Sequence, residues 1–174
     1  NGLYRFIKTR WTLKSFKSVV VGVVLFGITF SMLTGFVSLA KSEPNSLQLE
    51  SLLWLEGHSA IDSAVLTSKE KGFLIEGVAR RKVILDDLLL YTKDASERLS
   101  DINTMFHSFS LKRTTDLMKK YNITYIWIDK EMKAKEWHNE QTGLLFVLRN
   151  KIFKKVFENS FVEIYRYSPE DEET

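Results

Sequence analysis

The chain has 174 residues, with 25 Lys and Arg against 22 Asp and Glu and a formal net charge of +3. Arg5, Lys8, Arg10, Lys14 and Lys17 stand before residue 18 without an acid among them, so residues 41–174 hold 20 basic against 22 acidic groups, a net of −2. An acidic folded part lacks the basic footprint of a nucleic-acid binder, and the absence of Cys excludes disulfides, zinc-thiolate sites and thiol nucleophiles.

In chain order, residues 1–17 form a basic segment, and Ser18 to Ala40 is a run of 23 residues without a charged side chain. A helix of that length covers about 35 Å, more than the roughly 30 Å of a bilayer's hydrocarbon core. The run is expected to be a transmembrane helix, and the positive-inside rule places residues 1–17 in the cytoplasm and residues 41–174 outside. Two other readings compete. Ser38-Leu39-Ala40 resembles the cleavage site of a secretory signal peptide, but the long apolar run, the long charged leader and the missing initial Met speak against it. A buried helix of a soluble protein would not be apolar all round for so long. Gly27, Ser31 and Gly35 recur every four residues on one face, with Ser18 and Gly22 as a second pair. Such a stripe lets other transmembrane helices approach closely, although Gly is also common in membrane helices generally. Together these features suggest the tail of a larger multi-pass protein.

Residues 41–47 read as a linker broken by Pro44 and Asn45, followed by an α/β domain over 48–168. Leu47 to Gly57 suits a helix near the membrane surface, with Leu49, Leu52, Leu53, Trp54 and Leu55 apolar. A strand is expected at Ala64–Thr67, a turn at Lys69–Gly72, a helix at Gly72–Ala79 and a second strand at Lys82–Leu85 ending in Asp86-Asp87. Strand, crossover helix and strand make a parallel βαβ unit. Helices follow at Ala95–Phe106 and Ser110–Tyr121. Ile123–Ile128, rich in β-branched and aromatic residues, is the clearest strand. A helix over Trp137–Leu148 and a hairpin of Phe153–Phe157 with Phe161–Tyr167 complete the pattern. Residues 169–174 read as an acidic, disordered tail. The expectation is one N-terminal transmembrane helix followed by a three-layer α/β domain with about five strands and a C-terminal β-hairpin.

Several residues are candidates for chemistry. Asp86 and Asp87 end a strand, where α/β sheets place ligand groups; they suit a cation or a sugar hydroxyl, or simply cap the next helix. Arg80 and Arg81, followed by Lys82, suit a lipid phosphate or an anionic sugar, or a solvated turn. Asn122-Ile123-Thr124 is an N-glycosylation sequon, although it abuts a strand expected to be buried. His58, His107 and His138 lack metal-ligand spacing, so no metal is expected. No nucleophile elbow or phosphate loop is present, and no cofactor is expected. Trp127 and Trp137 fit a core better than a sugar-stacking platform.

Three stretches carry a family resemblance: SLLWLEGHSAIDSAVLTSKEKGFLIEGVARRKVILDD, DLMKKYNITYIWIDK and FKKVFENSFVEIYRY. Over residues 50–167 they resemble the extracytoplasmic C-terminal domain of multi-pass membrane glycosyltransferases that use lipid-linked sugars, with the oligosaccharyltransferase catalytic subunits as the best-known branch. That branch carries a Trp-Trp-Asp-Tyr-Gly motif after the first strand, where it reads the acceptor peptide. Here the stretch is Ser68-Lys69-Glu70-Lys71-Gly72, and Gly72 alone matches. The resemblance places Glu70 at the acceptor-reading position; a plain charged turn is the other reading. Catalytic carboxylates of such enzymes lie in membrane loops outside this chain. The resemblance implies an accessory domain that covers an active site or helps bind an acceptor or a lipid-linked sugar, with membrane lipid and other transmembrane helices as partners. A single-pass binding or sensing module is the alternative, and a structural subunit gripped through Gly27, Ser31 and Gly35 is a third.

Overall fold

The computed structural model describes residues 19–27, 44–85, 93–137, 139 and 141–169, in two units that divide between Glu43 and Pro44. Residues 19–27 of the first unit are helical. Among the described residues no helix is long and apolar enough to cross a membrane. The rest of the 18–40 run, including Ser31 and Gly35, lies outside the described residues, as do Asp86, Asp87, His138 and residues 170–174.

The second unit begins with α1, Ser46–His58. Asn45 and Gln48 cap it reciprocally: the Gln48 N–H donates to Asn45 Oδ1 at 2.7 Å and the Asn45 N–H to Gln48 Oε1 at 3.0 Å. This arrangement satisfies two of the N–H groups a helix start leaves orphaned. Then follow β1 (Ala64–Leu66), α2 (Lys69–Leu74), a π-helical turn (Ile75–Ala79) and β2 (Lys82–Val83). β1 and β2 pair in parallel, as the βαβ reading expected. Two details differ. Lys69–Gly72 is not a turn but the start of α2, because Ser68 takes an extended N-cap conformation. The second strand stops at Val83; Ile84 and Leu85 are buried without belonging to it.

The chain continues through α3 (Ala95–His107), α4 (Leu111–Lys120), β3 (Ile123–Asp129), α5 (Lys130–Glu136), α6 (Gly143–Val147), β4 (Phe153–Glu158) and β5 (Val162–Tyr167). The single helix expected over Trp137–Leu148 does not form. Asp129 caps a helix that begins at once after β3, accepting from the Met132 N–H at 2.8 Å, and that helix ends at an extended Trp137. The Trp137 indole donates to the Phe106 carbonyl at 2.8 Å, a tertiary contact that overrides the local apolar pattern. Helix resumes only at Gly143, whose φ of +55° favours glycine; a Cβ there would meet the Phe106 carbonyl oxygen at 2.1 Å.

The strands form one mixed sheet in the order β2-β1-β3-β5-β4. β1, β2 and β3 are parallel, and the β4–β5 hairpin joins β3 antiparallel. Successive side chains of a strand point to opposite faces. Tyr125, Trp127 and Asp129 point towards α1, bonding respectively His58 O at 3.1 Å, Ser51 Oγ at 2.9 Å and Gln48 Nε2 at 2.8 Å. Ile126 and Ile128 point the other way and are equally buried, within the same core as Met105, Met118 and Leu144 of α3, α4 and α6. Both faces of the central strand are therefore covered, as parallel sheets require.

Candidate functional site

From β1 the chain crosses to β2 on one side and then returns to β3 on the other side of β1. The C-terminal ends of β1 and β3 therefore flank the topological switch point, the crevice where open α/β sheets hold ligands. Ser68 to Gly72 lie beyond one strand end, and Lys130 to Lys135 follow Asp129, the last residue of the other.

Asp129 is the hub. It is fully buried and accepts from Gln48 Nε2 and from the Met132 N–H, each at 2.8 Å. Lys71 Nζ stands 3.4 Å from its Oδ2 and 2.5 Å from Glu131 Oε2. Burial alone would push the Lys71 ammonium down, but Glu131 and Asp129 outweigh it and hold it above its ordinary value, so Lys71 stays charged. Next to it Glu70 pairs with Lys135 at 2.6 Å. Burial raises that carboxyl, yet the bond from Lys135, the backbone of the helix start and Ser68 together keep it below the usual carboxylate range.

Glu70 and Lys135 line a cleft of about 270 Å³ together with Ser68, Lys69, Glu136 and, from α3, Leu99, Ile102, Asn103 and Phe106. The α3 wall is apolar apart from the Asn103 amide; the other offers ammonium, carboxylate and hydroxyl groups. Such a lining has the donors and acceptors to hydrogen-bond a hydroxyl-rich or peptide-like ligand. A second cleft, of about 320 Å³, opens between Lys133, Leu145, Leu148, Arg149, Lys155, Glu158, Glu163 and Tyr165. Its polar groups are tied together: Glu163 pairs with Lys133 at 2.8 Å and Lys155 at 3.2 Å, and accepts from the Tyr165 hydroxyl at 2.9 Å. Among the described residues no group of three His, Cys, Asp or Glu could hold a metal ion.

Of the residues singled out in the sequence, Glu70 lies in the switch-point cleft. Arg80 and Arg81 sit just before β2 and so at the opposite, N-terminal edge of the parallel strands. The buried Arg81 guanidinium donates to the carbonyls of Glu56, Ser59, Ala79 and Arg80 and to Ser59 Oγ, at 2.5 to 3.1 Å. It thereby ties the end of α1 to the π-helical turn. Arg80 is exposed, has a φ of +54° and lies 3.6 Å from Glu56. Asn122 is exposed, with a φ of +53°, while the sequon's Ile123 is buried and Thr124 donates to the Ala64 carbonyl at 3.4 Å. Gly27 belongs to the helical stretch 19–27. Sequence reasoning missed Asp129, Gln48, Asn103 and Lys135. Only Asp129 left a signal, an acid at the C-terminal end of the clearest strand.

No protein-family model and no curated protein matches the chain, but solved structures do. The crystal structure of the C-terminal globular domain of an oligosaccharyltransferase from Archaeoglobus fulgidus matches with a TM-score of 0.59 at 16% identity, over 72% of this chain and 99% of that one. This chain has the fold of an oligosaccharyltransferase C-terminal globular domain. A further structure of such a domain from the same organism matches at a TM-score of 0.47 and 15% identity, over 72% of this chain and 98% of that one. An A. fulgidus oligosaccharyltransferase tethered with an acceptor peptide matches at 0.45 and 18% identity, over 97% of this chain and 24% of that one. In this oligosaccharyltransferase-type fold the switch-point cleft is built by α2, α3 and α5, the elements that follow β1, β2 and β3.

Proposed function

We propose that the domain is an accessory, extracytoplasmic part of a membrane glycosyltransferase, and that its switch-point cleft holds the acceptor or the lipid-linked sugar for catalytic groups located elsewhere. The observation that carries this reading is a cleft equipped to bind, set in an oligosaccharyltransferase-type fold. Glu70 in this cleft is held ionised by Lys135; a general acid needs the opposite displacement. Lys69, Asn103 and Lys135 favour a polar, hydroxyl-bearing ligand over the aromatic-lined mode that the Trp-Trp-Asp-Tyr-Gly motif would provide. The charge-free run 18–40 behind a five-cation leader supports attachment to the membrane, and the stripe of Gly27, Ser31 and Gly35 supports packing against other membrane helices.

The test is transfer from a lipid-linked donor in membranes carrying the full-length protein, with Glu70→Ala and Lys135→Ala variants. The expected result is an apparent KM raised about tenfold with kcat unchanged, the sign of lost uniform binding. A collapse of kcat at constant KM would make the cleft catalytic and overturn the accessory reading. So would sugar transfer by residues 41–174 alone.

A further inference from the structure

Two large aromatic rings lie on the surface of the domain and touch each other. Phe109, between α3 and α4, is 60% exposed, and Phe146 of α6 is 47% exposed. Their centroids are 6.0 Å apart with the planes tilted by 54°. Single exposed apolar residues scattered over a surface are ordinary; two that touch form a small contiguous apolar patch. The charge around them in the chain is one-sided. Residues 107–115 and 141–157 contain no Asp or Glu, and they include the exposed Lys112, Arg113, Arg149 and Lys151. This contrasts with the net −2 of residues 41–174.

The position of the pair is also telling. The loop bearing Phe109 follows α3, whose last turn receives the Trp137 indole, and α6 rests on that same turn through Gly143. Both rings thus belong to the assembly beyond the C-terminal end of β3. The chain enters the domain at that end too. Gln48 in the first turn of α1 bonds Asp129, the last residue of β3, and the Leu47 carbonyl accepts from Asn159 at the hairpin tip at 2.9 Å.

We infer that Phe109 and Phe146, with the exposed cations Lys112, Arg113, Arg149 and Lys151 close to them in the chain, dock the domain on the surface of a bilayer containing anionic lipid. The inference rests on residues 18–40 being a membrane anchor, and it deepens the function proposed above. Aromatic rings favour the interface between headgroups and acyl chains, and cations are drawn to anionic headgroups. The switch-point cleft opens at this same end of the sheet, so docking would hold it near the level where the headgroup of a lipid-linked sugar lies.

The test uses the full chain reconstituted in vesicles of phosphatidylcholine, with and without phosphatidylglycerol, and in detergent micelles. Hydrogen exchange is followed in residues 107–113 and 143–149. Exchange is expected to slow about tenfold in the phosphatidylglycerol vesicles and little in the others, with the protection lost in high salt and in the Phe109→Ser/Phe146→Ser variant. Each reversal among Lys112→Glu and Arg149→Glu should weaken protection about fivefold; these charge variants leave the rings in place and so control for folding. Equal exchange in both vesicle types, or protection that persists in micelles because a second copy or another protein covers the rings, would overturn the proposal. Alkaline carbonate extraction of the same vesicles tests the anchor separately: release of the chain defeats the anchor reading, while the exchange result still decides the lipid contact.

Discussion

The two halves of the sheet treat polar groups in opposite ways. In the parallel half, β1 is buried along its whole length and β3 nearly so. Several of its polar side chains are sealed in with dedicated partners: Asp129 with Gln48 and Lys71, Arg81 with backbone carbonyls, Ser51 with the Trp127 indole. In the antiparallel half, β4 is largely exposed or half-buried, and Lys133, Lys155, Glu158, Glu163 and Tyr165 form a network open to solvent. A count of ion pairs and hydrogen bonds therefore does not rank the halves by stability. Water can replace a lost partner at the hairpin but not beneath α1.

The comparison can be broken most directly at Asp129. Asp129→Ala strands Gln48 and the Met132 N–H inside the protein and removes one partner of Lys71, so it should destabilise by about 3 kcal/mol. Urea unfolding measures this, and a loss below about 1 kcal/mol would mean that water reaches the site and the halves do not differ. Arg81→Met keeps the bulk of the side chain but leaves buried carbonyls without a donor; about 2 kcal/mol is expected by the same assay. A smaller effect separates backbone strain from burial at the start of β3. Asn122→Ala should lower stability by about 1 kcal/mol because of the left-handed φ, whereas Asn122→Gly should restore it.

The smallest effect concerns the antiparallel half and is best seen against pH. Burial raises the Glu163 carboxyl, but Lys133, Tyr165 and Lys155 outweigh it and leave the pKa below its ordinary 4.5. Its contribution is therefore fully present above about pH 4.5 and lost as the pH falls through the lower folded value. Glu163→Gln should flatten that acid limb while changing stability at neutral pH by less than about 1 kcal/mol, consistent with a partly hydrated network. An unchanged acid limb would show that the network does not hold the carboxylate charged.

Local pattern made much of this domain legible. The β-branched and aromatic run at Ile123–Ile128 became β3 with one more residue, the hairpin formed about Asn159 and Ser160, and the parallel βαβ unit was readable from β1 to β2. The failures came where a distant contact decided the backbone. The stretch 137–148, apolar in its second half, reads as one helix, but Trp137 is held extended by a carbonyl 31 residues away. The cleft was legible only at Glu70, because its other walls come from α3 and α5.

The amino-acid sequence by itself determined where most of the strands and several of the helices lie, since side-chain period and caps act over a few residues. It also determined the separation of a basic leader and an apolar run from an acidic domain. The tertiary structure alone decided which polar groups meet. Gln48 finds Asp129 across 81 residues and Ser51 finds Trp127 across 76, pairings that exist only once α1 has been laid over the sheet. No local pattern encodes such contacts, because each partner alone is an ordinary polar side chain until burial removes the water that would otherwise satisfy it.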